Sequence, residues 1–260
     1  LKLAHPQKVN ALAGRKKTDK GDSQILADLL RTNLLPPAYM STPYERSLKE
    51  LLRFRMQLVD HRATIKRRLH DILAKQNIVC PYKEILGKKA TDWLLSLHCP
   101  FPYDEEITSA LHVATTLTTQ ISLFDQQVEN QAAHNPQVIL LQTIPGIGPV
   151  LGLTLISEIG DIHRFATDRA LASYAGVVPS VHSSGDKTFY GPTSKHGNKY
   201  LRWALAEAMV HILKKDLNIQ HFYEQLKARK GSSKARVAVM NKMLRCIHAM
   251  LRKQKPYESR

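Results

Sequence analysis

The chain has 260 residues, and 38 Lys+Arg against 22 Asp+Glu give a formal net charge of +16, at a length that suits one large or two modest domains. A hydrophobic fraction of 43% argues against wholesale disorder, and Cys80, Cys99 and Cys246 stand too far apart for a disulfide scaffold or a zinc ribbon. No run of about 18 apolar residues spells a membrane-spanning helix, and the charge excess points to a polyanion, of which nucleic acid is the commonest inside a cell.

Isolated cysteines fit a reducing compartment, so a bacterial cytoplasmic location is expected. Leu1-Lys2-Leu3 lacks the charged-then-apolar order of a signal peptide, and the chain is expected to have lost its true beginning. Residues 1–35 read as a short strand-like start, the basic loop Gly14-Arg15-Lys16-Lys17 and a helix capped by Thr18. Ile25, Leu26, Leu29 and Leu30 form its apolar face, which one helix and half a strand cannot bury. Residues 1–35 are therefore expected to be loosely held.

Residues 43–132 read as two long helices around a Pro- and Gly-punctuated middle. Leu51, Leu58, Ile65 and Ile72 recur every seven residues, beside a second row of Leu48, Arg55, Arg62 and Leu69. Ile107, Ala114, Ile121 and Val128 do the same in the second helix. Either an antiparallel coiled-coil hairpin, with or without a partner chain, or an amphipathic pair packed on one globule fits this pattern. The arginines in the first seam suit a helix lying beside phosphates. Residues 137–195 switch to short elements, and 196–254 return to helix, with Lys227–Lys234 as a basic, mobile linker. The fold class is mainly α.

Three motifs could carry chemistry. In Ile144-Pro145-Gly146-Ile147-Gly148-Pro149, glycines between two apolar runs predict a helix-hairpin-helix turn, with N–H groups of Gly146 and Gly148 facing a nucleic-acid backbone. The plain alternative is a tight turn between core helices. In Lys17-Thr18-Asp19-Lys20-Gly21-Asp22, two acids share the first turn of a helix. They could hold a hard divalent cation or simply match the helix dipole. Ser183-Ser184-Gly185 places a serine in a Gly-bounded loop, ahead of Lys195, Lys199 and Arg202, which could steady a phosphate. An ordinary polar loop fits equally.

Together these motifs resemble one family. Lys17-x-Asp-x-x-Asp22 is followed by a helical hairpin, then Ile144-Pro-Gly-Ile-Gly-Pro149, Glu158-Ile-Gly-Asp-Ile162 and Arg164-Phe165. Leu171-Ala-x-Tyr-Ala-Gly-x-x-Pro179, Ser184-Gly185 and Lys195-x-Gly-Asn-x-x-Leu-Arg202 complete the order. The set is similar to the DEDD-type insertion-sequence transposases of the "IS one-ten" group, related to the Piv DNA invertases.

The resemblance implies a RuvC-like (RNase H-like) α/β domain, of which residues 1–40 would be the C-terminal remnant. It also implies a helical hairpin or coiled coil over 41–134 and a transposase domain over 135–260. Asp19 and Asp22 match the last two of four metal-binding acids, with Mg²⁺ the implied ion, and Ser184 matches a serine that attacks DNA phosphate to form a phosphoserine link. The acids and the serine would meet in a composite site between subunits of a dimer or tetramer, acting with a guide RNA on DNA and with no membrane. Residues 1–16 contain neither Asp nor Glu, so the other two acids have no match here. Two expectations stand: a transposase or recombinase that cuts and rejoins DNA, or an inactive chain that binds nucleic acid and oligomerises. A structural protein for an acidic partner is a third.

Overall fold

A computed structural model describes residues 2–13, 18–184, 187–193 and 197–259, with the backbone alone for 7, 11–13, 180–184, 187–190, 192 and 193. The chain divides into two compact units, Leu1–Tyr44 and Glu45–Arg260.

The first unit differs from the expected strand-like start. Pro6 opens a helix, α1 (Pro6–Ala13), because proline's fixed φ suits a first helical turn. Among the described residues of this unit, extended pairing is limited to the bridge between Ala4 and Pro37, with Ala38 N–H donating to Leu3 C=O at 2.8 Å. The second helix, α2 (Asp19–Arg31), begins where the sequence places it, and the Thr18 hydroxyl oxygen accepts from Gly21 N–H at 3.1 Å. None of its residues is buried, and Leu26 and Leu30 are exposed. The expected uncovered apolar face is present.

The second unit opens with all but the first two residues of α3 (Pro43–Lys75), followed by α4 (Lys88–Ser96) and α5 (Tyr103–Ala133). Cross-contacts run in opposite senses: Phe54 meets Phe124 with ring centroids 5.1 Å apart, Arg55 pairs with Asp125, and Arg68 with Glu106. The pair is thus an antiparallel hairpin. Ile107, Ala114, Ile121 and Val128 are all buried, as their seven-residue spacing requires. At the hairpin's far end, Leu69, Ile72 and Leu73 enclose a small core with Ile85 and Leu94. The arginine reading needs correction: Arg55 is only 18% exposed and its partner is the Asp125 carboxylate, not a phosphate.

At the near end Leu48, Leu52, Val128 and Ala132 join the main core. That core is built on α6 (Pro136–Leu141), α7 (Pro149–Ile159), α8 (Asp168–Ala175), α9 (Lys199–Lys215), α10 (Leu217–Lys230) and α11 (Ser232–Lys253). Every residue of α7 from Gly152 to Ile159 is buried. Its second half is buried on every side because α5, α6 and α9 pack against it. The expected linker at Lys227–Lys234 is instead a sharp helix break. Gly231, at φ +81°, ends α10 and leads directly into α11. Among the described residues no helix is long and apolar enough to cross a membrane.

One antiparallel pair interrupts the helices. Strands β1 (Pro179–Ser184) and β2 (Lys187–Thr193) form a two-stranded hairpin between α8 and α9, with a bulge between Pro179 and Val181. Ser183 and Ser184 therefore lie in a strand rather than a loop.

Candidate functional site

The carboxylate of Glu158 sits where the ordered motifs of the second unit converge, on the last turn of the apolar helix α7 and only 3% exposed. Burying a charge among apolar side chains is costly unless its oxygens are satisfied. Here both are. Arg53 of α3 donates to Oε1 through Nε at 3.2 Å and Nη2 at 2.7 Å. Asn198 Nδ2 donates to Oε2 at 2.8 Å. The Arg53 guanidinium also lies 4.4 Å from the centroid of the Tyr200 ring, a cation–π placement that shields it further.

Asn198 ties this carboxylate to the start of α9. Its side-chain oxygen accepts from Tyr200 and Leu201 N–H at 2.9 and 3.1 Å, while its own backbone N–H donates to Tyr174 C=O at 2.9 Å. Tyr174, near the end of α8, is packed in turn by Arg164, which lies 4.5 Å from its ring centroid and donates to Ile159 C=O at 2.9 Å. The Glu158, Arg164, Tyr174 and Asn198 motifs, separated in sequence, are thus one polar network. It clamps the end of α8 to the start of α9.

Those two ends are the base of the β-hairpin. The chain leaves α8 through Gly176, at φ +70°, a left-handed conformation that glycine adopts without Cβ strain. It returns through Gly197, where any Cβ would overlap the Gly176 backbone. Arg202 closes the crossing by donating from Nη1 to Ala175 C=O at 3.0 Å, and Asn241 Nδ2 donates to Val177 C=O at 3.2 Å. From this base β1 runs outward to Ser184, which pairs with Lys187 at the last rung of the ladder. A strand rises about 3.3 Å per residue, which carries Ser184 ~16 Å beyond Pro179 along the arm. Gly185, Asp186 and Lys195 lie outside the described residues, and for Ser184 the backbone alone is described.

The other expected site residues fall in different places. Lys199 is exposed on the first turn of α9, its Nζ 5.0 Å from the Tyr200 ring centroid. Arg202, expected to steady phosphate, already has the Ala175 carbonyl as partner. Gly146 does not face outward. At φ +92° it lets the turn approach α9 so closely that a Cβ would lie 2.5 Å from His211 Cβ and 2.9 Å from Ala208 C=O. Gly148, by contrast, has open space where a Cβ would stand, and it precedes α7 as its N-cap. Of the two glycines, only Gly148 has open space on its Cβ side.

Asp19 and Asp22 stand on the first turn of α2, Asp19 exposed and Asp22 half-buried, with Asp22 N–H donating to Thr18 C=O at 2.8 Å. Among the described residues no group of three or more His, Cys, Asp or Glu side chains comes together to hold a metal ion. Two carboxylates are an incomplete oxygen set for a hard divalent cation, which takes six or more ligands. These acids alone do not make a metal centre.

Comparison with known proteins covers both units. Residues 139–224 match the family described as "Transposase IS116/IS110/IS902 family", and residues 2–78 match the DEDD-type IS110 domain, described as "Transposase". A protein of Coxiella burnetii named "Transposase for insertion sequence element IS1111A" is 27% identical over 98% of this chain and 72% of its own length. The "Probable family 20 transposase" of Pseudomonas aeruginosa is 24% identical over 99% of this chain and 78% of its own. The "Pilin gene-inverting protein" of Moraxella bovis is 29% identical over 68% of this chain and 55% of its own.

Proposed function

Because the chain belongs to the IS110/IS116/IS902 transposase family, we propose that it cuts and rejoins DNA through Ser184, at the end of the β1–β2 arm. The Ser184 hydroxyl oxygen attacks a backbone phosphorus, a deoxyribose oxygen leaves with the proton, and a phosphoserine ester joins chain and strand until a deoxyribose hydroxyl reverses the exchange. Lys195, Lys199 and the backbone at Gly148 hold phosphates along the strand. A guide RNA selects the DNA, and two or four copies of the chain assemble around it. The three-part division at 1–40, 41–134 and 135–260 belongs to the same reading, with the first part a RuvC-like remnant and Gly146–Gly148 a helix-hairpin-helix turn.

The observation that supports this most is the clamp at the arm's base. An ion pair to a buried carboxylate, a double helix cap and two back-to-back glycines all converge on fixing where the serine-bearing hairpin leaves the core. A surface loop of no consequence would not need so many polar groups committed to the interior. The DEDD-type match implies use of a divalent metal, for which Mg²⁺ is the proposed ion. Asp19 and Asp22 are its proposed ligands in this chain, and further oxygens must come from elsewhere. No step is routed through that ion.

The test is to incubate the protein with Mg²⁺, its RNA and DNA bearing the element ends, then resolve the products under denaturing conditions. A protein-linked DNA band is expected from the wild type and should vanish in Ser184→Ala while DNA binding persists. An adduct that survives Ser184→Ala would overturn the serine assignment. The lone pair of acids favours a second reading, a chain that binds nucleic acid and oligomerises without chemistry. Salt-sensitive binding with no adduct or cleavage from the wild type would select it.

A further inference from the structure

Beside the foot of the β1–β2 arm, α10 and α11 enclose a cleft of about 1030 Å³, at the upper end of the size range of small-molecule pockets. Its walls carry Arg229, Lys230, Lys234, Lys242 and Arg245, and among the described residues no Asp or Glu lines it. The Gly231 break brings the last turn of α10, with Arg229 and Lys230, beside the first turn of α11, with Lys234. Arg245 is neutralised by Asp168 at 2.6 Å, and Lys242 Nζ lies 4.8 Å from the Phe222 ring centroid. Arg229, Lys230 and Lys234 are exposed, with no ion pair to any described residue. Beneath these cations the lining is apolar: Phe222, Leu226 and Val237.

We infer that this cleft binds an unpaired stretch of a nucleic-acid strand, its phosphates on Lys230 and Lys234 and a base against Phe222. A duplex presents phosphates outward but keeps its bases stacked, so it could use the cationic rim and leave the apolar lining wet. An unpaired strand offers both chemistries at once, as in single-strand binders that combine a basic groove with an aromatic platform. An acidic peptide would satisfy the charge but not the aromatic ring. The cleft shares Pro179 and Gly191 with the arm's base, so a strand held there lies at the root of the hairpin bearing Ser184. The inference rests on the reading that this protein works on nucleic acid, and it adds a strand state and an address.

Fluorescence anisotropy on the full chain separates the possibilities, with a short oligothymidylate and a mixed-sequence duplex of equal length as probes. In Lys230→Gln/Lys234→Gln, oligothymidylate affinity should fall about tenfold or more, and its log–log salt slope by about 1.4, or about 0.7 for each phosphate left without its lysine. Phe222→Leu keeps an apolar side chain at the same place. It should weaken oligothymidylate about tenfold through reduced stacking, leave the slope unchanged and leave the duplex unaffected. Oligothymidylate binding unchanged in the double variant overturns the inference, as does polyglutamate competing as well as oligothymidylate with Phe222→Leu silent. If either follows while the wild type binds DNA, the proposed function stands. A wild type that binds neither probe removes both.

Discussion

Glu158 is the single acid in the otherwise apolar or neutral helix Pro149–Ile159, and its burial makes it the residue on which the second unit's polar interior turns. Arg53→Met removes two charge-assisted donors and leaves the carboxylate with Asn198 alone. Because the Arg53 guanidinium side is partly exposed, the cost falls below that of a fully buried pair, at about 2–3 kcal/mol in urea unfolding. A loss within about 0.5 kcal/mol would show that the pair contributes nothing net. A second buried acid, Asp216, behaves differently with pH. Burial alone would raise its pKa, but the Tyr257 hydroxyl at 2.6 Å, the Ile219 N–H and contacts from Ser259 and Asn218 outweigh it, and the net shift is downward. Burial, and then the facing carboxylate, pushes the Tyr257 hydroxyl up, so it stays protonated and donates. A carboxyl with a folded pKa below its unfolded value of about 3.9 contributes stability above that pH and loses it as pH falls through the folded value. Tyr257→Phe should therefore cost about 1–2 kcal/mol at neutral pH, and this difference from wild type should shrink below about pH 4. A penalty that is constant down to acid unfolding would rule out the charged bond as its source.

The element that carries the serine is held by two glycines whose Cα positions leave no room for a methyl group. Gly197→Ala must push the Gly176 backbone aside. We expect a loss of at least about 1–3 kcal/mol, seen in thermal unfolding, and faster proteolysis within residues 176–197; an unchanged melting temperature and digest would refute the back-to-back crossing. Much at this scale is legible in the order of residues. The heptads of α5 mark its buried face, Thr18 marks the start of α2, and Gly146 marks a tight turn. What stays hidden has physical causes. Pro6 turns an apolar run that looks strand-like into a helix, and the β1–β2 pair hides among serines, glycines and threonines with no alternating apolar face. Arg55 resembles a phosphate ligand because its partner Asp125 is 70 residues away. The lone acid of α7 does signal a buried polar site, since such a residue must find a donor. Nothing local names Arg53, 105 residues distant, as that donor.

For the whole molecule, a net charge of +16 and two matched transposase segments set the scale of the problem. The charge attracts nucleic acid without choosing a sequence; in the proposed reading the guide RNA makes that choice, and the arm, Gly148 and the cleft between α10 and α11 hold the bound strand. The two compact units carry different parts of the proposed chemistry, acids in Leu1–Tyr44 and serine in Glu45–Arg260. The serine itself has competitors, because Ser180 and Ser183 share its strand and Ser173 stands in α8. Trypsin releases all four in one peptide, residues 170–187. Fragmentation of that peptide, after trapping the reaction on DNA and digesting the strand to a nucleotide stub, locates the covalent link. The nucleotide mass is expected on Ser184 alone; the same mass on Ser173, Ser180, Ser183 or another peptide of the chain would rule Ser184 out as the nucleophile.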